Sequence, residues 1–290
     1  MAILNSILGI AFIFLVAFLL SNNKKKINWR TIIIGFLIQF GFALAALKWS
    51  VGKFILSKIA LGVQSVINYA NEGIKFLFGS LTNDGSIFAV NVLGVIIFIS
   101  AVVSVLYYLG IMQFVIKIIG GALSKLLGTS KLETISASAN IFLGQTEAPL
   151  LVRPYISSMT KSEMTAIMVG GMATVAGGVM AGYVAMGINA GHLLAASIMA
   201  APAGLVLAKM LVPETEEPET KDITNIEVEK TASNVVEAAA NGASDGLMLA
   251  LNVAAMLLAF VALIALFNYL IGLVGGLSVS YTHLTLPTIA

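Results

Sequence analysis

The chain has 290 residues, 59% of them hydrophobic and only 10% charged, with a mean hydropathy of +0.99, a balance that excludes an ordinary soluble domain and marks an integral membrane protein. Zero cysteines exclude a disulfide framework and cysteine-ligated metal, and two histidines, His192 and His283, leave a thin inventory for metal or acid–base chemistry. A net charge of +2 says little about partners, because membrane proteins distribute charge by side rather than by sum, and no nucleic-acid partner is expected.

Ile3 to Leu20 reads as a first transmembrane helix, lacking the basic n-region and small-residue cleavage site of a signal peptide. Thr31 to Leu47 reads as a second. The loop between them carries Lys24, Lys25, Lys26 and Arg30, so the positive-inside rule puts it in the cytoplasm and the N-terminus outside, with Trp29 as an interfacial anchor. From Lys53 to Leu81, Ile59, Val63, Val66 and Ile67 repeat at helical spacing while Lys58, Gln64, Asn68 and Asn71 interrupt, which predicts an amphipathic helix lying along the interface. Ile87 to Ile119 is longer than one perpendicular crossing needs at about 1.5 Å per residue, so a third crossing is expected to tilt, or to bend near Gly110.

Between Thr134 and Met159, Asn140-Ile-Phe-Leu-Gly144-Gln145-Thr146-Glu147-Ala148-Pro149-Leu-Leu-Val-Arg153-Pro154 sets a polar tip between two short apolar arms. Neither arm supplies the roughly 20 apolar residues of a spanning helix. Irregular backbone at membrane depth survives only inside protein or against a watery cavity, so the segment reads as a re-entrant hairpin. Gly144 and Pro149 suit its turn. A charge at the bilayer centre costs roughly 2.5–3.5 kcal/mol on insertion scales, which makes Glu147 a functional residue by default; an ion pair with Arg153 is its duller role.

Met164 to Ile188 is dense in small residues, with Gly170, Gly171, Gly177, Gly178 and Gly182. Each glycine weakens a helix by roughly 1 kcal/mol relative to alanine, and small residues also admit close helix packing. A locally unwound helix whose freed carbonyls hold a cation and tight packing alone both remain open at this point. Leu193 to Leu211 is the next span, with His192 an interfacial side chain near its start. Glu214 to Asn234 is acidic and polar and reads as a surface linker, which the count of crossings puts in the cytoplasm. A last span runs from about Leu247 to Leu273, preceded by the small-residue segment Ala238 to Gly246, whose Asp245 is a capping or interfacial carboxylate. The threonine-rich residues 278–290 fit no spanning pattern and read as a non-native tail, so His283 receives no role.

Gly144-Gln-Thr-Glu-Ala-Pro-Leu-Leu-Val-Arg-Pro154, Met159-Thr-Lys-Ser-Glu-Met164, the segment from Gly170 to Gly178 and Ser104-Val-Leu-Tyr-Tyr-Leu-Gly-Ile-Met-Gln113 resemble the concentrative nucleoside transporter family. The resemblance implies an all-α polytopic membrane protein, the first half of an inverted-repeat transporter, that is a secondary active carrier and not an enzyme. It implies nucleoside uptake driven by sodium, with a proton as the alternative coupling ion, and a homotrimer in the lipid bilayer of the bacterial inner membrane. The corresponding division is a scaffold part at 1–130, including the interfacial helix at 53–81, and a transport part at 131–212. The transport part holds the hairpin at 134–159, the unwound helix at 164–188 and a helix at 193–211. A cytoplasmic linker at 213–235 and a last transmembrane helix at 236–277 complete the chain before the tail.

By the same resemblance Gln145, Thr146 and Glu147 contact the nucleobase and Val179 forms an apolar wall beside it. Amide and carboxylate offer complementary donors and acceptors to a base edge. The sodium site maps to the Asn140 and Thr174 side chains with the Val175 carbonyl nearby; proton-coupled bacterial relatives tend to lack that asparagine. Asn140 as a helix-packing amide, and Thr174 bonded back to its own helix, are the plainer roles.

Two departures stand out. Family members continue with a second hairpin and two more helices, an inverted repeat of Thr134 to Leu211, so the chain reads as an incomplete carrier, with a non-transporting scaffold or channel fragment as the alternative. At Val92-Leu93-Gly94 relatives commonly carry proline after the leucine, which leaves the local bend open.

Overall fold

The computed structural model of the protein describes residues 2–79, 87–144, 148–220 and 232–275. The described residues form ten α-helices: α1 (Ala2–Leu19), α2 (Trp29–Leu47), α3 (Ser50–Phe78), α4 (Phe88–Tyr108), α5 (Ile111–Leu127), α6 (Lys131–Ala139), α7 (Lys161–Ala173), α8 (Gly177–Ala185), α9 (Ala190–Leu211) and α10 (Val235–Gly275). Short 3-10 helices cover Lys24–Lys26 and Ala148–Ser158.

By length and hydropathy six segments among the described residues can cross a membrane: Trp29–Ala46, Ser50–Phe78, Phe88–Tyr108, Lys161–Ala185, Ala190–Leu211 and Val235–Leu273. The apolar part of α1, Leu4–Leu19, is shorter. Length thus admits α3, which sequence periodicity assigns to the interface. Ile67, Ala70 and Ile74 are buried with Val90 and Val95 of α4, and Ile67 and Ile74, with Gln64, Asn68, Asn71, Lys75 and Asn91, border a cavity of about 380 Å³.

Several expected boundaries move. The long third crossing is two helices, because Gly110 takes a left-handed backbone (φ +78°) between α4 and α5. The bend expected there is a full break, after which α5 buries Met112, Ile116, Leu123 and Leu127. Around Gly94 α4 is uninterrupted. The last helix starts at Val235, as the division at 236–277 expects, so the most apolar stretch from about Leu247 is only its later part: α10 is one helix of 41 residues, and the small-residue segment lies in its first third. A β-carbon at Gly242 would lie 2.5 Å from the Ser104 β-carbon, so this glycine lets α10 press against α4 along its length.

One end of the molecule gathers the polar termini. The Asn22 amide donates to the Leu211 carbonyl at 2.9 Å, and the Thr31 hydroxyl to the Leu127 carbonyl at 2.9 Å. The basic loop 24–30, the end of α5 and the end of α9 therefore lie on one side, and α6 starts beside them. At the opposite side α9 starts against α3, where Gly191 approaches Ala60 and Leu56.

Candidate functional site

Two helices enter the site from the same polar end, and each starts with a reciprocal cap. The Glu133 amide donates to Ser130 Oγ at 3.4 Å, and Glu133 Oε1 accepts from the Ser130 amide at 2.7 Å. In α7 the corresponding distances for Thr160 and Glu163 are 3.1 and 3.0 Å. Such capping boxes satisfy helix-start amides that water would otherwise have to reach. Here they do so in the interior, since Glu133 is 1% and Glu163 0% exposed.

The two arms expected for the hairpin differ in form. The first begins at Lys131 rather than Thr134 and is the α-helix α6, which ends at Asn140. The second, Ala148–Ser158, is a 3-10 helix containing Pro154. Proline has no amide proton to give and departs from regular α-helical bonding. Leu143, Ala148, Leu151 and Val152 share one core with Leu132 and Ala139, so the two arms pack on each other. Gln145, Thr146 and Glu147 lie outside the described residues. Arg153 is exposed on the second arm.

Facing the turn after α6 is the interruption between α7 and α8. Residues 174–176 are not helical, and Thr174 is extended (φ −120°, ψ 162°). The unwound reading of this glycine-rich segment therefore holds. Its cause is visible in one bond: the Gly177 amide, which a continuous helix would give to the Ala173 carbonyl, donates instead to the Phe142 carbonyl at 3.1 Å. A β-carbon at Gly177 would stand 2.3 Å from that oxygen, so only glycine lets the turn seat there. The break leaves the negative end of α7 and the positive end of α8 facing one space.

Asn140 is fully buried, and neither its Oδ1 nor its Nδ2 has a hydrogen-bond partner among the described residues. Its amide faces α7, where a β-carbon on Gly170 would meet Asn140 Nδ2 at 3.2 Å. The Thr174 hydroxyl donates to the Gly170 carbonyl at 2.9 Å. This is the plainer role foreseen for Thr174, yet donating its proton leaves the oxygen lone pairs available to a cation. Val175 and Val179 are half-buried in the break and in the first turn of α8. The structure thus brings Asn140 to Gly170, whose carbonyl accepts from the Thr174 hydroxyl beside the break. A neutral amide oxygen, a hydroxyl and backbone carbonyls suit a hard monovalent cation.

Sequence reading overlooked the polar base below this site. Lys209 of α9 is 6% exposed; its Nζ lies 2.7 Å from Glu133 Oε2 and 3.3 Å from Glu214 Oε2. It also donates to Ser162 Oγ at 2.9 Å, and the Ser162 hydroxyl donates to the Val212 carbonyl at 2.7 Å. Thr160 donates to Glu214 at 2.9 Å, and the Thr220 hydroxyl donates to Glu163. The signal that could have found the two carboxylates is their spacing from Ser130 and Thr160, the Ser/Thr-x-x-Glu pattern of a capping box.

Comparison with known proteins gives the arrangement its relatives. The families described as Na+ dependent nucleoside transporter N-terminus, Nucleoside recognition and Na+ dependent nucleoside transporter C-terminus match residues 8–81, 89–190 and 192–290. An uncharacterized transporter of Haemophilus influenzae is 55% identical over 293 residues, a match covering 100% of this chain and 70% of the relative. The nucleoside permease NupC of Helicobacter pylori is 49% identical over 271 residues, covering 91% of this chain and 64% of the permease. Among solved structures, CNTnw in an inward-facing substrate-bound state superposes with a TM-score of 0.87 at 49% identity, covering 95% of this chain and 67% of that one. An outward-facing CNTnw variant gives 0.88, so the likeness defines the fold and not a transport state. Hydropathy, fold and these matches agree that the chain is a multi-pass membrane protein belonging to the concentrative, Na+ dependent nucleoside transporter family.

Proposed function

We propose that the chain serves sodium-coupled uptake of nucleosides across the bacterial cytoplasmic membrane by alternating access. The observation that carries this reading is Asn140: an amide 0% exposed, with no hydrogen-bond partner among the described residues for either polar atom, set where the turn after α6 docks on the broken α7–α8 segment. A buried polar group without a partner costs about 1–3 kcal/mol, and a bound cation would recover that cost for Asn140 Oδ1.

In this mechanism sodium takes Asn140 Oδ1, the Thr174 hydroxyl oxygen and backbone carbonyls at Val175 and its neighbours. The ion draws the turn and the break together. Gln145, Thr146 and Glu147 then present donors and acceptors to the nucleobase, and Val179 supplies its apolar wall. The positive end of α8 favours the electron-rich side of the bound solute. Ion and nucleoside each improve the other's affinity by the same factor, which is the coupling. The scaffold part, 1–130, holds a homotrimer while the transport part, 131–212, moves. Under the positive-inside rule the end bearing Lys24, Lys25, Lys26 and Arg30 is cytoplasmic, and α3 lies at the outer interface.

Calorimetric titration of the purified chain with uridine, in sodium and in choline, tests the reading. Binding in sodium alone is expected, and Glu147→Gln should remove most of it. Equal binding in both salts overturns sodium coupling at this site, and no binding in either overturns nucleoside recognition by this chain.

A further inference from the structure

α6 carries a polar stripe that faces inward along its length. Glu133, Ser136 and Asn140 stand at positions i, i+3 and i+7, one face of a helix, and are 1%, 0% and 0% exposed. Ser136 Oγ and both amide atoms of Asn140 have no hydrogen-bond partner among the described residues, while Glu133 Oε2 is held by the Lys209 ammonium at 2.7 Å. The other hydroxyls of the helix are satisfied locally. Thr134 bonds the Ser130 and Lys131 carbonyls, and Ser138 bonds the Thr134 carbonyl. Ser136 is placed as they are and finds no such partner. Buried polar atoms left open in this way point to something else that binds there.

The stripe also leads somewhere. At about 1.5 Å of rise per residue its rungs lie about 4.5 and 6 Å apart along the axis, close enough for a small ion to pass from one oxygen to the next. Its inner end is Asn140, beside Gly170 and the break. Its outer end is Glu133, which lines a cavity of about 240 Å³ with Ser130, Thr31, Lys209 and Glu214, at the end of the molecule that bears the basic loop. There the Lys209 ammonium stands between two carboxylates, Glu133 at 2.7 Å and Glu214 at 3.3 Å. Glu214 belongs to the segment following α9, so the ammonium has a second anchor outside the stripe.

We propose that Glu133, Ser136 and Asn140 form the cytoplasmic route of the coupling cation, and that Lys209, a tethered cation, closes that route at Glu133. The proposal rests on the reading of Asn140 as a cation ligand. An ion leaving Asn140 is received by Ser136 Oγ and then by Glu133 as the Lys209 ammonium shifts toward Glu214. Ion and ammonium compete for one carboxylate, so departure of the ion and closure of the route are alternatives by charge alone. The neighbouring face of α6 supplies the control: Ala137 and Ile141 pack against Ala201 and Leu205 of α9 in an apolar core.

The chain contains no cysteine, so single thiols report cleanly. Ser136→Cys and Ala137→Cys, each in the full 290-residue chain reconstituted in sealed vesicles, would be exposed to Ag+ on the cytoplasmic side, a monovalent cation near sodium in size. Thiol loss at Ser136→Cys is expected to be roughly tenfold faster than at Ala137→Cys, and to be slowed by sodium but not by choline. Equal rates, or no effect of sodium, overturn the route. Equilibrium binding of radioactive sodium to the unsubstituted chain separates the two readings: binding that persists while Ser136→Cys fails the test leaves the Asn140 site standing, and absent binding overturns site and route together. Should Ser136→Cys not fold, Ser136→Ala serves instead. Slower sodium dissociation at unchanged equilibrium affinity supports the route, and an unchanged dissociation rate overturns it.

Discussion

The Gly177 amide is bonded to the Phe142 carbonyl at 3.1 Å, across a gap that a single β-carbon would close to 2.3 Å. This contact withdraws the amide that would otherwise continue α7 into α8, so the turn after α6 and the break at 174–176 depend on each other. Gly177→Ala should push the turn away and let the helix anneal. Sodium-dependent uridine affinity is expected to fall at least tenfold, about 1.4 kcal/mol, with helix content by circular dichroism unchanged or slightly higher. An unaltered affinity would show that the docked turn is not needed for binding.

Asn140 predicts a separation of stability from function. Because its buried amide has no hydrogen-bond partner among the described residues, replacement by an apolar residue of similar shape removes a desolvation cost and no hydrogen bond from them. Asn140→Leu is therefore expected to raise the thermal midpoint of the sodium-free chain, by the equivalent of about 1–2 kcal/mol. The stabilisation that sodium gives the unsubstituted chain should disappear, since a ligand stabilises only the state that binds it. Thermal scans with and without sodium read both effects. A lower midpoint for Asn140→Leu would mean that the amide has a protein partner after all.

The spans of this fold were legible because apolar runs end where polar or charged residues begin, as at Lys24–Arg30 and Glu214. The break at 174–176 was legible too, since paired glycines flank it. At Gly110 only a tilt or a bend was legible, because the residues on both sides are apolar and a left-handed glycine leaves no mark on polarity. The division placed the last helix at 236–277 and α10 starts at Val235, although hydropathy alone marked only the stretch from about Leu247, because Ala238 to Gly246 is weakly apolar and packs on α4. The buried base was not read because Glu133, Glu163 and Lys209 stand far apart in sequence, and only the packing of α6, α7 and α9 brings them together.

The contact between α4 and α10 offers a test of packing away from the site. The Ser100 and Ser104 β-carbons would sit 2.7 and 2.5 Å from β-carbons at Gly246 and Gly242. Gly242→Leu must force the helices apart, and overpacking of this kind costs typically 1–3 kcal/mol. A lowered thermal midpoint is expected, with sodium affinity at Asn140 retained because neither helix supplies that site. Loss of sodium binding with an unchanged midpoint would contradict this division.

Lys209 and Glu133 should behave as a pair whose halves are worse apart than absent together. Removing the ammonium by Lys209→Met leaves Glu133 buried beside Glu163, with no cation to compensate it, and breaking a buried pair in this way costs about 3–5 kcal/mol. Glu133→Gln keeps the bond to the Ser130 amide through its carbonyl oxygen while removing the charge. The double substitution Glu133→Gln with Lys209→Met is therefore expected to recover much of the stability lost by Lys209→Met alone, a coupling measurable in a double-mutant cycle of thermal or denaturant unfolding. Additive losses would mean that the ammonium is held chiefly by Glu214 and Ser162, and that its 2.7 Å approach to Glu133 contributes no net stability.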